Sequence, residues 1–200
     1  FIMLLRVVRA TKPSHVSRLI SQPRAFAHTF GSHCSYCGEA FPVDSSAAEA
    51  RTCSNCNQTT YSNPLPVVVG IVHKKEEDRV SVLCVRRGIE PCRGEIALVG
   101  GFLESGETWQ AGLSREIQEE VGIPISTESW ELHDVQTVLK PPRLIVTASA
   151  TCPEQYELSN NLNFDKTEVQ EVLWIQHPME LCFATHTSAL HSFFSTHSKE

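Results

Sequence analysis

Glutamates 116, 119 and 120 are spaced by three and four residues, so on an α-helix their carboxylates share one face. Like charges at that spacing repel by ~0.2–0.5 kcal/mol per pair. A cluster that repels itself is what a hard divalent cation would neutralise, and oxygen-only ligands suit Mg²⁺ or Mn²⁺. Such a cation keeps waters and shares its shell with substrate phosphates. Arg115 stands four residues before Glu119 and can hold that carboxylate in one rotamer. Gly100 and Gly101 let backbone come close to a metal or a phosphate where a side chain would obstruct. A bare ExxEE reads more readily as a solvated acidic helix face, so the triplet alone does not establish a metal site.

A second set of residues speaks for a different metal. Cys34-Ser-Tyr-Cys37 and Cys53-Ser-Asn-Cys56 are two CxxC pairs fifteen residues apart. Each pair suits a tight knuckle that aims two thiolates at one point, and two knuckles complete a tetrahedral four-sulfur shell for Zn²⁺. Gly38 and Asn57 follow the pairs and suit the left-handed residue such a knuckle needs. Two evenly matched pairs disfavour a redox dithiol, and an intracellular setting would disfavour disulfides. A closed four-sulfur shell has no open position, so this metal is expected to be structural. Cys84, Cys92, Cys152 and Cys182 show no ligand spacing and are assigned no chemistry; Cys84 lies in an apolar run and reads as a small buried hydrophobe.

The elements that must carry these residues are legible as periodicity. Val67–His73 is a β-branched run, expected as a strand buried on both faces. A charged turn separates it from a second strand, Arg79–Arg87, giving a hairpin. Ile96–Val99 is expected as a short strand ending at Gly100-Gly101, and Thr108–Val121 as a helix stopped by Gly122 and Pro124. Val135–Leu139 and Leu144–Thr151 read as another strand pair around Pro141-Pro142. Glu171–Ile175 reads as a last strand and His186–His197 as a C-terminal helix. Strands around one central helix, with a second helix at the end, describe a mixed α/β sandwich.

The segment around the glutamates contains more than the triplet. Gly101, Glu107, Arg115, Glu116, Ile117, Glu119, Glu120, Gly122 and Ile123 fill every fixed position of the pattern G-x5-E-x7-R-E-U-x-E-E-x-G-U, with U an aliphatic residue. The sequence therefore resembles the Nudix hydrolases. The resemblance implies an α/β/α sandwich over residues 62–200, preceded by a small four-cysteine zinc ribbon over 32–61. It implies metal-dependent hydrolysis of a nucleoside diphosphate linked to another moiety. It makes Glu116, Glu119 and Glu120 the ligands of Mg²⁺ or Mn²⁺, with a backbone carbonyl near Gly101 and Glu107 in support. Arg115 would be the orienting partner. The base toward the attacking water would be one of these glutamates or one from a later loop. Glu168 and Glu171 both precede Trp174, and Glu168 is the favoured choice.

A CxxC–CxxC ribbon before such a domain is similar to the NADH pyrophosphatase branch, as are the segments 86–91 and 100–102. The SQPWPFPxS motif of that branch is absent downstream of the box, and Val99 stands where many relatives have Pro. NADH or NAD, ADP-ribose and FAD all remain as substrates, with Arg86, Arg87 and Phe102 as candidate nucleotide contacts. Dimers are common in the family, so a homodimer is an expectation from the resemblance.

Charge is unevenly spread. The net charge is −6, from 17 basic and 23 acidic residues, but Arg6, Arg9, Lys12, Arg18 and Arg24 all precede the first acid, Glu39. Residues 1–31 have the basic, hydroxyl-containing, acid-free composition of a transit peptide, so mitochondrial or other organellar targeting is expected; a plain disordered tail is the alternative. The chain opens at Phe1 with its first Met at position 3, which reads as a fragment or an imprecise start. No apolar run approaches the ~20 residues of a membrane-spanning helix, so no membrane partner is expected. The acidic body, with Arg51 the single Lys or Arg between residues 34 and 56, argues against nucleic-acid gripping. The reading opposed to an enzyme is a nucleotide-sensing module that uses the ribbon as an interaction element.

Overall fold

The computed structural model describes residues 31–42, 50–77, 79–157 and 165–197. The expected leader lies outside them, apart from Gly31. The chain divides into two compact units, one ending at Ser62 and the other starting at Asn63.

In the first unit the two CxxC segments build the same turn twice. The Cys34 N–H donates to Glu39 O and the Gly38 N–H returns to Cys34 O, at 2.8 and 3.0 Å. Cys53, Gln58 and Asn57 repeat this at 2.9 Å each. Gly38 and Asn57 hold the left-handed positions, at φ 75° and 58°. Strands β1 (Arg51–Thr52) and β2 (Thr59–Thr60) flank the second knuckle and pair with each other. The four thiols converge so that their sulfurs all lie within 4.8 Å of one another, the geometry of a four-cysteine zinc ribbon.

The second unit is a seven-stranded mixed sheet. Its strands are β3 (Leu65–Glu76), β4 (Arg79–Arg87), β5 (Ile96–Ala97), β6 (Val99–Phe102), β7 (Glu131–Leu139), β8 (Pro142–Thr151) and β9 (Val169–Ile175). The path runs β5-β4-β3-β8-β7, with β6 on β3 and β9 on β4. The central strand β3 alternates as expected of a strand buried on both faces. Val68 and Val72 pack beneath α1 (Trp109–Val121) with Leu113 and Ile117. Val69 and Ile71 pack on the other side with Leu190 and Phe193 of α3 (Ala184–His197). A one-turn α2 (Glu154–Glu157) follows β8. Two helical layers therefore cover one sheet, an α/β/α sandwich.

Most expected elements are present with longer ends, and the differences have local causes. The single strand expected over Ile96–Val99 is two strands, because the chain changes partner at Leu98: β5 pairs with β4 and β6 with β3. β7 begins four residues before the expected start, where an extra residue at His133 shifts the register and breaks the alternation. Pairing of β3 with β8 is parallel over nine residues and carries no signal in local periodicity. Thr108 caps α1, its hydroxyl accepting from the Ala111 N–H at 3.2 Å, and Gly122 ends it at φ 73°.

The second helical layer rests on a buried histidine. His186 of α3 is 7% exposed, and its Nδ1 accepts from the Leu98 N–H at 3.2 Å where β5 passes into β6. Burial, followed by the nearby Arg87 charge, lowers its pKa to about 4. A histidine kept neutral by the fold is protonated first in the unfolded chain. Its stabilisation is complete above the ordinary value of 6.5 and is lost as pH falls toward about 4. The loss should approach about 3 kcal/mol. Urea unfolding followed by tryptophan fluorescence, which reports only the second unit because Trp109, Trp130 and Trp174 all lie there, should give a falling midpoint between pH 7 and 4.5. His186→Asn, which keeps an acceptor toward Leu98 but cannot be protonated, should flatten that fall. An undiminished pH dependence in the variant would refute this account.

Candidate functional site

Helix α1 crosses strand β6, and the closeness of that crossing organises the acidic residues. A Cβ on Gly101 would run into the Glu116 carboxyl group, and one on Gly100 into the Val68 carbonyl oxygen. Two residues without side chains therefore allow the helix to lay Glu116 directly on the strand.

Arg115 gathers the carboxylates. Its Nη2 and Nε donate to the two oxygens of Glu107, at 2.8 and 3.2 Å. Its Nη1 donates to Glu116 Oε1 at 2.8 Å and to Glu119 Oε2 at 3.1 Å, and Nη2 also reaches the Phe102 carbonyl at 3.1 Å. The expected Arg115–Glu119 contact is present, but the two-pronged bond to Glu107 is the fuller one. The Glu107 Oε1 additionally accepts from the Glu104 N–H at 2.7 Å. The Arg115 guanidinium, then that N–H, hold the Glu107 carboxyl below its usual range, while the carboxylates push the Arg115 pKa up.

The other glutamates of the helix feel their burial. Glu116 is raised by desolvation despite Arg115, with Glu119 and Glu168 adding to the rise. Glu120 is pushed up to about 8, first by desolvation and then by the charges of Glu116 and Glu168; Arg87 and the Gly100 N–H oppose this. Glu119 remains largely exposed, its side chain 60% accessible. This carboxylate group is thus under electrostatic stress that a cation would relieve.

Glu168 comes from the far end of the chain and is held by backbone. The Gly88 N–H donates to its carbonyl at 2.6 Å, and a Cβ on Gly88 would meet that same oxygen at 2.9 Å. Asp165 shapes the approach: its Oδ1 accepts from the Thr167 N–H and hydroxyl at 2.7 Å each, and its carbonyl from Glu168 and Val169 at 3.2 and 2.8 Å. The Asp165 N–H donates to Glu120 O at 3.2 Å, which ties the turn to the end of α1. Glu168 therefore acts electrostatically on both Glu116 and Glu120. Glu171, the other acid before Trp174, is engaged elsewhere, 2.9 Å from Arg86.

The three residues expected to touch nucleotide differ in how far they are already occupied. Arg86 bonds Glu171 and the Gly94 carbonyl, at 2.9 and 3.0 Å. Arg87 donates to Pro91 O at 2.8 Å and lies 5.2 Å over the Phe183 ring, while its charge still reaches Glu120. Phe102 directly follows Gly101, is 53% exposed, and has the Arg143 guanidinium 5.2 Å from its ring centre. Sequence reading missed Gly88, Asp165 and Arg143. For the first two a usable signal existed: a glycine just past a strand, and an Asp-x-Thr turn just before one.

Among the described residues the four cysteines are the cluster whose ligand atoms are drawn together tightly enough to hold an ion as they stand. The glutamates are instead spaced around Arg115. Their donor set, all oxygen, with partly desolvated carboxylates and a strand lacking side chains at Gly100 and Gly101, fits hard divalent cations.

Comparison with known proteins agrees with this geometry. Residues 64–188 match the NUDIX domain family. The chain is similar to the NAD-capped RNA hydrolase NudC of Salmonella heidelberg, 28% identical over 160 residues, covering 76% of this chain and 54% of that protein. It is similar to the NudC protein of Photobacterium profundum, 26% identical over 172 residues and covering 83% and 53%. The chain spans about half the length of these curated relatives. Among solved structures, a NUDIX hydrolase from Nitrosomonas europaea superposes with a TM-score of 0.62 at 23% identity, covering 84% of this chain and 94% of that one. The NUDIX domain of Shewanella oneidensis NrtR, in complex with ADP ribose, gives 0.56 at 17% identity, covering 68% and 90%. With the fold, the glutamate face and the match all converging on the same residues, the chain belongs to the NUDIX domain family.

Proposed function

We propose that the protein is a divalent-metal-dependent pyrophosphohydrolase acting on a nucleoside diphosphate joined to another moiety, with a structural Zn²⁺ in its ribbon. The observation that carries the reading is the convergence of Glu168 with Glu116 and Glu120 beside Gly101, from segments nearly fifty residues apart in sequence. Glu116, Glu119 and Glu120 would hold Mg²⁺ or Mn²⁺ together with the Gly101 carbonyl. Such cations, when bound, neutralise phosphoryl oxygens and acidify a bound water. Arg115 fixes the rotamers of Glu116 and Glu119, and Glu107 fixes Arg115. Glu168, held by Gly88, takes the proton of the attacking water. Phe102 offers an aromatic surface to a base. The phosphorus–oxygen bond of the anhydride breaks, and the two phosphate halves leave as separate anions.

The substrates proposed are NADH or NAD, ADP-ribose and FAD. The curated relatives are named for NAD-capped RNA, whose end carries the same kind of linkage, but the net charge of −6 works against a long phosphate backbone. Free small molecules of this kind are therefore preferred.

Incubating the purified chain with each of these compounds, with NAD-capped RNA as a further arm, and Mg²⁺ or Mn²⁺, then identifying products by mass spectrometry, should reveal cleavage at the anhydride with chelator-sensitive turnover. Glu168→Gln should lower kcat about 10²–10⁴-fold at little cost in stability. Gly101→Ala should lose activity comparably while its helix content stays intact, because the added methyl displaces Glu116. If no compound is cleaved and Glu119→Gln changes nothing, the enzyme reading fails.

For the ribbon, metal analysis after dialysis should find one Zn²⁺ per chain. Cys34→Ser should lose the metal and unfold residues 32–61, as hydrogen exchange would show, because so small a unit depends on its ion. Full exchange protection in metal-free protein would exclude a structural role.

A further inference from the structure

Cys92 and Cys182 take no part in either metal cluster, and sequence spacing gave them no role. Cys92 lies in the loop between β4 and β5, at φ 64°, and Cys182 in the turn before α3. They are 90 residues apart in sequence, yet the Cys92 thiol donates to the Cys182 carbonyl oxygen at 3.8 Å, and the Cys92 charge acts on the Cys182 thiol. Backbone holds both segments in place. The Cys182 N–H donates to Ile96 O at 2.9 Å, the Glu95 N–H to Cys92 O at 3.1 Å, and Arg87 Nε to Pro91 O at 2.8 Å. Both cysteines are partly exposed, whereas Cys84 and Cys152, the other two outside the ribbon, are buried. A small reagent in solution therefore reaches this pair and not those two.

We propose that Cys92 and Cys182 are an oxidation site that closes reversibly into a disulfide joining the β4–β5 loop to the start of α3. With hydrogen peroxide as the oxidant, the Cys92 thiolate attacks one peroxide oxygen, the O–O bond breaks, and Cys92 becomes a sulfenic acid. The departing hydroxide takes up the thiol proton as water. The Cys182 sulfur then attacks the Cys92 sulfur, the S–O bond breaks, and the hydroxyl leaves as a second water with the Cys182 proton. The two sulfurs lose two electrons and the peroxide gains them. Burial pushes the Cys182 thiol up to about 12, so Cys92 is the sulfur that meets the oxidant and Cys182 the one that resolves it. A dithiol reductant reverses the bond. The cross-link would brace the loop that begins at Gly88, whose N–H holds Glu168.

The test uses the zinc-loaded full chain and does not depend on hydrolytic activity, so it stands apart from the function proposed above. After peroxide treatment, alkylation of free thiols and trypsin digestion without reductant, mass spectrometry should find peptide 88–93 joined to peptide 167–199, two hydrogens lighter than their sum and separated by dithiothreitol. Tightening so long a loop should raise the Tm of the second unit by about 10 °C. Cys92→Ser and Cys182→Ser should each abolish both effects, and Cys84→Ser should keep them. Recovery of Cys182 as the alkylated free thiol while Cys92 is driven to sulfinic acid would overturn the proposal, as would oxidation confined to the ribbon cysteines.

Discussion

Arg115 is the cation around which Glu107, Glu116 and Glu119 are arranged, and most of the site depends on that arrangement. Three carboxylates converging on partly desolvated space repel one another, and bonds from a guanidinium to ionised acceptors, worth about 1.5–3 kcal/mol each, offset that repulsion. The planar fork matters as much as the charge. It grips both oxygens of Glu107 while a third nitrogen edge still reaches the helix glutamates. The loop from Leu103 to Glu107 is thereby fastened to α1, and Glu116 and Glu119 are presented in fixed rotamers. Glu120 lies beyond the reach of this fork, and it is the glutamate of the helix whose pKa rises furthest, to about 8.

What brings charges together here is backbone with little or nothing attached to it. α1 can lie on β6 because Gly100 and Gly101 leave no side chain beneath it, and the turn carrying Glu168 can lie on β4 because Gly88 leaves none there. Strand β3 supplies the rigid reference for both. It pairs with β6 through residues 67–70, with β4 at its outer end and with β8 along its length, so the two glycine approaches are set by one strand. The apolar layers on its two faces turn that strand into a fixed support: Val68 and Val72 face α1, and Val69 and Ile71 face α3.

The limits of the sequence follow from the same physics. Helix α1 and its glutamate face were legible because a 3.6-residue period, a capping threonine and a terminal glycine are local signals. The knuckles were legible because left-handed positions at Gly38 and Asn57 are local as well. Glu168 was singled out only through a family resemblance, since its proximity to Glu116 is created by the β4–β9 pairing and the Asp165 turn. Arg86, named as a candidate nucleotide contact through the same resemblance, has a partner that the sequence does not show: Glu171 stands directly across the β4–β9 ladder and pairs with it. The parallel β3–β8 pairing and the meeting of Cys92 with Cys182 link segments far apart in the chain, and no window of residues can report them.

The allocation of positive charge has a consequence for how an anionic substrate could bind at all. Arg115 is committed to three glutamates and Arg86 to Glu171, and the Nε of Arg87 is committed to Pro91. Arg143 remains, but it stands over Phe102 with one nitrogen on the Pro142 carbonyl. A pyrophosphate would therefore meet Glu116, Glu119, Glu120 and Glu168 with little uncommitted arginine charge to receive it. At ~4 Å and an effective dielectric of about 20, each such like-charge pair costs about 4 kcal/mol before screening. Cations held by the glutamates would turn that repulsion into attraction, so in the proposed reaction the metal would be needed for docking as much as for chemistry. The net charge of −6 therefore overstates the repulsion of a small anion at the site itself, because in the proposed reaction part of that charge would hold the ions that the substrate sees.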